Sequence, residues 1–177
     1  DITGAGDVVK AGAGTLTMSG TNTYTGGTTV NAGVLKAGST TTGGAGSITD
    51  GPFGTSTVTI NDGAALNLDG NSIANDLALT GSGISNGGAL VIGGSAVTLD
   101  GNIALGATTT INAASNLTLN GTLQAKDAGT AMALTFNGAG DVVVDGAQTI
   151  DADTTITNSS GKLTFNGAID AAAGASS

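Results

Sequence analysis

One five-residue pattern recurs along this chain and limits what it can fold into. An apolar–x–apolar triplet is followed by Asp, Asn, Ser or Thr, and then by Gly. It reads LTMSG at 16–20, LNLDG at 66–70, LALTG at 77–81, VTLDG at 97–101, LTLNG at 117–121, LTFNG at 134–138, VVVDG at 142–146 and LTFNG again at 163–167. Alternation over so few residues marks a short strand whose flanking apolar residues face one side. The middle residue faces the other side, and it is Thr at Thr17, Thr98, Thr118, Thr135 and Thr164. Asp-Gly or Asn-Gly then supplies a tight bend, because both residue types tolerate positive φ.

The spacing sets the architecture. Gly81, Gly101 and Gly121 are evenly spaced, about 20 residues apart, which is the size of a solenoid repeat. A longer unit also recurs: 57–70 (TVTINDGAALNLDG), 108–121 (TTTINAASNLTLNG) and 154–167 (TTITNSSGKLTFNG) align without a gap. Asn61, Asn112 and Asn158 share one column of that alignment, Leu66, Leu117 and Leu163 another, and Gly70, Gly121 and Gly167 close it. The offsets of 51 and 46 correspond to two coils plus a loop insertion. Repeats of this size belong to solenoids and arrays. A period near 20 holds three short strands and three turns, one coil of a parallel β-helix. Asx-Gly between strands is also the strongest short hairpin signal, so an antiparallel meander is the rival. The short strands and the in-register turn residues favour the solenoid. At ~4.8 Å per coil the rod would be roughly 40 Å long. Its stability would be a sum of contacts between neighbouring coils.

Composition agrees. Gly (32) and Thr are abundant, while Glu and Arg are absent and Lys and Gln are scarce, which disfavours helix. Only 10% of residues are charged and the mean hydropathy is +0.25, unlike a self-repelling disordered coil. The net charge of −9 argues against nucleic acid and anionic membrane surfaces as partners. No run approaches a membrane-spanning helix, so no membrane insertion of this segment is expected. With no Cys there is no disulfide framework. The chain starts at Asp1 without an initiator Met or signal peptide, which reads as a processed or excised segment.

Residues 10–35 read KAGAGTLTMSGTNTYTGGTTVNAGVL. This stretch resembles the passenger-associated β-strand repeat of bacterial autotransporters, the large surface adhesins of type V secretion. The matching positions include Lys10, Gly12, Gly14, Leu16, Gly20, Asn22, Tyr24, Gly26, Gly27, Thr28, Val30, Asn31, Gly33 and Leu35. Met18 stands where the family has Leu, a volume-conserving change. FGTSTVTINDGAALNLDG (53–70) resembles the segment C-terminal to such repeats; beyond residue 71 the likeness is to solenoid adhesins in general. The resemblance implies a right-handed parallel β-helix passed through an outer-membrane translocator and displayed at the bacterial cell surface. It implies a role in adhesion, aggregation or secretion, with an unknown receptor or self-association as its partner. No translocator barrel is present, and the tail AAAGASS (171–177) lacks the aromatic girdles of a membrane strand.

The expected organisation is one β-helix segment over 1–177. It comprises the repeat at 10–35, a Gly/Thr-rich excursion at 38–55, regular coils at 56–170 and a flexible tail at 171–177. Residues able to do chemistry are few. Asp141, Asp145, Asp151 and Asp153 form the densest acidic group, and paired carboxylates serve glycosidases or Ca²⁺ sites. A turn role is the simpler reading, with Asp145 opening a bend and Asp141 capping a strand. A uronate-binding enzyme would call for Arg, which is absent. Sugar platforms use aromatics, and only Tyr24, Phe53, Phe136 and Phe165 exist. Phe136 and Phe165 occupy inward strand positions. Without His or Cys, Ser–His, Cys–His and most transition-metal sites are excluded. The run GSTTTGGAGS (38–47) lacks the Gly-Lys-Ser/Thr ending of a phosphate loop. An ice-binding face would need ranks two Thr wide. Pairs occur at Thr15/Thr17 and Thr57/Thr59, but other coils offer a single Thr, as at Ala96/Thr98/Asp100 and Lys162/Thr164/Asn166. No catalytic, cofactor-binding or metal residue is therefore assigned, and a stalk or scaffold is expected rather than an enzyme. The unpaired strand edges at the ends of such a rod predict weak end-to-end association.

Overall fold

The computed structural model describes residues 1–125, 132–151, 153–159 and 161–172. Its named strands pair in parallel, and the chain winds through three faces per coil. The first face stacks β1 (Val8–Lys10), β3 (Thr28–Val30), β5 (Val58–Ile60), β7 (Leu77–Gly81), the first half of β10 (Ile103–Ala113), β12 (Leu123–Ala125), β15 (Gln148–Asp151) and β18 (Ile169–Ala172). The second face stacks β2 (Thr15–Met18), β4 (Gly33–Ala37), β6 (Ala64–Asn67), β8 (Leu90–Ile92), the second half of β10, β13 (Ala133–Asn137) and β16 (Thr155–Asn158). The third face stacks β9 (Val97–Leu99), β11 (Leu117–Leu119), β14 (Val142–Val144) and β17 (Leu163–Phe165). This is a parallel β-solenoid, as the short strands and the period required. Among the described residues there is no α-helix, only a 3-10 turn at Ile84–Asn86.

Seven steps carry the first face from Val8 to Ile169, a rise of about 34 Å at ~4.8 Å each. Four steps are bare coils of about 20 residues, the shortest solenoid period: Val8 to Thr28, Val58 to Leu77, Ile103 to Leu123, and Gln148 to Ile169. The other three carry insertions, the longest between Thr28 and Val58, and shorter ones between Leu77 and Ile103 and between Leu123 and Gln148. The first insertion folds as an antiparallel pin. Thr42 donates to the Asp50 carbonyl and accepts from Thr49, and Ser47 closes the tip on Gly44. The second contains the 3-10 turn.

The core is a set of inward columns rather than one centre. On the second face Leu35, Leu66, Leu90, Ile111 and Phe136 stack in register, all fully buried. On the third face Val97, Leu117 and Val142 form one buried column, and Leu99, Leu119 and Val144 another. The outward middle positions alternate as the pattern required: Thr98, Thr118 and Thr164 lie between inward neighbours, with Val143 in the same column.

Two sequence expectations are corrected. The three aligned 14-residue units do not stack as one column. Leu66 lies on the second face, whereas Leu117 and Leu163 lie on the third. Asn112 pairs with Asn137, and Asn158 with Phe136, so these two Asn are offset by one residue. Every face needs the same in–out–in strand and bend, so one sequence unit serves any of them.

The glycines of the repeated pattern fall into two kinds. Gly20, Gly70, Gly81 and Gly138 have positive φ, as a tight bend requires. Gly101, Gly121, Gly146 and Gly167 do not. They form a column at the corner leaving the third face. There a Cβ on Gly121 would run into the carbonyl of Gly101, one on Gly146 into Gly121, and one on Gly167 into Gly146. These four glycines supply clearance between stacked backbones, not turn geometry. Gly81, though a full period before Gly101, is not in that column.

The residues just before this glycine column form a polar ladder. The Asn120 amide donates to Asp100 Oδ1 at 2.7 Å, and the Asn166 amide donates to Asp145 Oδ1 at 2.7 Å. Carboxylate and amide alternate, so no two charges are adjacent in the stack.

Candidate functional site

The four aspartates singled out from sequence do not converge. Asp141 precedes β14 and Asp145 follows it, about 13 Å apart along an extended strand. Asp141 Oδ1 accepts the Lys162 backbone N–H at 2.8 Å, and its own N–H donates to Asn116 Oδ1 at 3.0 Å. Asp145 belongs to the ladder described above. Asp151 ends β15 on the first face, and Asp153 sits in the turn that comes next. Each carboxylate thus lies at a separate position on the coil. Among the described residues no three acidic side chains gather as a metal ion would need.

The aromatics offer no platform. Tyr24, Phe53 and Phe136 are wholly buried, and Phe165 packs half-buried against the core. The outward Thr column of the third face is one residue wide and interrupted by Val143. Its flanks are Asn116 and Asp141 on one side, and Asn120 and Asp145 on the other. The first face carries a shallow depression of about 310 Å³ lined by Thr57, Asp76, Ala78, Asn102, Ala104 and Gln124. A smaller one of about 190 Å³ shares Thr57 and Asp76 and reaches Gly46 and Ile48 on the pin.

A buried polar arrangement lies elsewhere, in the N-terminal coils. There the third face has no regular strands. Asn22 and Gly51 exchange two backbone hydrogen bonds, of 3.1 and 3.2 Å. The Asn22 amide donates to the Pro52 carbonyl at 2.9 Å. The Tyr24 hydroxyl lies 2.5 Å from Thr28 Oγ1, and Thr28 Oγ1 donates to the Phe53 carbonyl at 3.3 Å. Burial raises the Tyr24 phenol above its ordinary pKa, and the bond to Thr28 offsets part of that rise. Lys10 occupies an inward position on the first coil. Its ammonium is satisfied by the carbonyls of Ala11, Gly12 and Ala32 at 3.2, 2.7 and 2.9 Å. Sequence reasoning placed Asn22, Tyr24 and Thr28 in the family motif but gave them no structural role. Their partners Pro52 and Phe53 lie a long insertion further on, and no periodicity links them.

The motif can be compared with known families. Residues 8–37 match the passenger-associated-transport-repeat. Over that stretch the chain is similar to autotransporter passengers. Along 170 residues, 95% of this chain, it is 33% identical to the adhesin BmaC autotransporter of Brucella suis biovar 1 (strain 1330). The chain spans 4% of that relative's length. No solved structure matches it. The passenger repeat forms β1 to β4, the first coil and the first two faces of the second, and the described residues after it continue the same stack. Among the described residues no helix is long and apolar enough to cross a membrane.

Proposed function

We propose that this chain is a rod-like spacer within a secreted surface protein, holding an adhesive region away from the cell. The carrying observation is an unbroken parallel ladder from Val8 to Ala172 in a chain related over 95% of its length to an autotransporter adhesin. Neighbour-on-neighbour stacking gives a stiff element whose length scales with the number of coils. On this reading the segment acts outside the cell, after passage through an outer-membrane translocator, and its role is mechanical rather than catalytic. The test replaces the segment, in the full-length protein, with an unrelated parallel solenoid of equal coil number. Adhesion should survive the exchange and fall on deletion. Competition by the purified chain for the adhesive surface would show instead that the segment itself binds.

A second reading has one observation in its favour. The first-face depression sets the polar groups of Asp76, Asn102 and Gln124 around an alanine floor. Such groups suit a neutral saccharide, whose hydroxyls both donate and accept. Amide shifts at Ala78 and Ala104 on titration with neutral oligosaccharides would support it, and unchanged shifts would end it.

A further inference from the structure

We propose that the passenger-associated repeat is an open socket, filled by residues 51–56 and latched by Asn75, so that it closes only after the coils C-terminal to it have formed. Asn22, Tyr24 and Thr28 lie inside the matched stretch 8–37, and the groups that fill the space between them lie beyond it. Pro52 and Phe53 supply the two carbonyls. Gly54 supplies a gap: its φ is +65°, and a Cβ there would stand 2.8 Å from two Tyr24 ring carbons. The Tyr24 carbonyl accepts the Thr55 N–H at 3.0 Å.

The hydroxyl chain has one consistent proton order. Thr28 has a single proton and gives it to the Phe53 carbonyl, so Tyr24 must donate to Thr28. The segment is then held from the far side. The buried Asn75 amide donates to the Gly54 carbonyl at 3.2 Å and to the Ser56 carbonyl at 2.7 Å. Thr41 joins the latch by bonding Asn75 Oδ1 at 3.4 Å and by donating its N–H to the Ser72 carbonyl at 3.1 Å. Without its occupant, the socket leaves the Asn22 amide and the Thr28 hydroxyl without their carbonyl partners and the Tyr24 ring uncovered. Burying such groups unpaired is costly, so β1 and β3 lack their full stability until residues 51–75 are in place. The repeat therefore reads whether the chain downstream of it has folded.

The test is hydrogen exchange on the whole chain, in Asn75→Ala and Phe53→Ala, with Tyr24→Phe as a milder variant that removes only the hydroxyl. Both alanine variants should speed exchange at residues 22–30 at least 10-fold while leaving β11 and β14 at wild-type rates; Tyr24→Phe should have a smaller effect at the same amides. Pulse labelling during refolding should protect β5 and β7 before β1 and β3. Tyr24 is the chain's single Tyr and there is no Trp, so intrinsic fluorescence follows the socket directly. Wild-type exchange at 22–30 in both alanine variants, acceleration spread evenly along the chain, or β1 and β3 protected first would each overturn the proposal. The result does not depend on the spacer role, because exchange is read on the isolated chain.

Discussion

Gly121 shows how one residue can be required for room rather than for torsion. A methyl group there would press on the Gly101 carbonyl, in a stack where the neighbouring coils repeat the contact. Gly121→Ala should cost about 1–3 kcal/mol, the scale of overpacking, measured by urea unfolding. Tyr24 makes stability depend on alkaline pH. An unfolded Tyr titrates near ~10, and burial raises the folded value. Between the two values the unfolded chain releases a proton that the folded chain keeps. Stability is therefore full below pH ~10 and is lost as the pH climbs through the folded value. Tyr24→Phe should remove that alkaline limb, and absorbance titration of the lone phenol should show it ionising above the free side chain. Gln148 offers a gain. It is wholly buried, its amide donates to the Gly146 carbonyl, and its Oε1 has no partner among the described residues. Gln148→Leu should raise stability by about 1 kcal/mol in the same unfolding assay.

At the scale of the element, the strands are too short to stand alone, and the ladders at their ends fix register. Asp100 with Asn120, and Asp145 with Asn166, are carboxylate–amide pairs between adjacent coils. Asn120→Asp would set a carboxylate between those of Asp100 and Asp145 at a cost of about 1–2 kcal/mol, smaller in ~1 M salt. Adding Asp100→Asn relieves one neighbour and leaves Asp145 on the other side, so the double variant should recover about half of the loss in thermal melting. The same logic explains why the acidic group at 141–153 misleads as a candidate site. Asp141 and Asp145 look clustered in sequence, but the strand β14 separates them and each serves a different column.

At the scale of the whole molecule, each coil depends on its neighbours and the last described coils have the fewest. Ile169 is 56% exposed on the last rung, and Leu163 and Phe165 are only partly covered. The isolated chain should therefore associate end to end at high concentration, and Ile169→Asp should weaken this in sedimentation experiments. The excursion at 38–55 belongs to this scale too. Its start forms the pin, and its end, from Gly51 to Thr55, hydrogen-bonds to Asn22 and Tyr24 of the coil before. That part is integral to the stack. Of the tail at 171–177, residues 173–177 lie outside the described residues.

The sequence by itself determined the class of fold, the length of the bare coil and the inward and outward faces. Those depend on period-2 alternation and on turn residues, which are local. It also carried the passenger repeat, because that motif is contiguous. It did not determine which face any unit occupies. LTFNG stands on the second face at 134–138 and on the third at 163–167, with identical residues. Only stacking against the preceding coil decides that, since insertions of variable length reset the phase. Tertiary structure alone also decided that four corner glycines provide clearance, and that Tyr24 waits for Phe53. Both depend on backbone brought into contact from a full coil or more away along the chain, which no local pattern records.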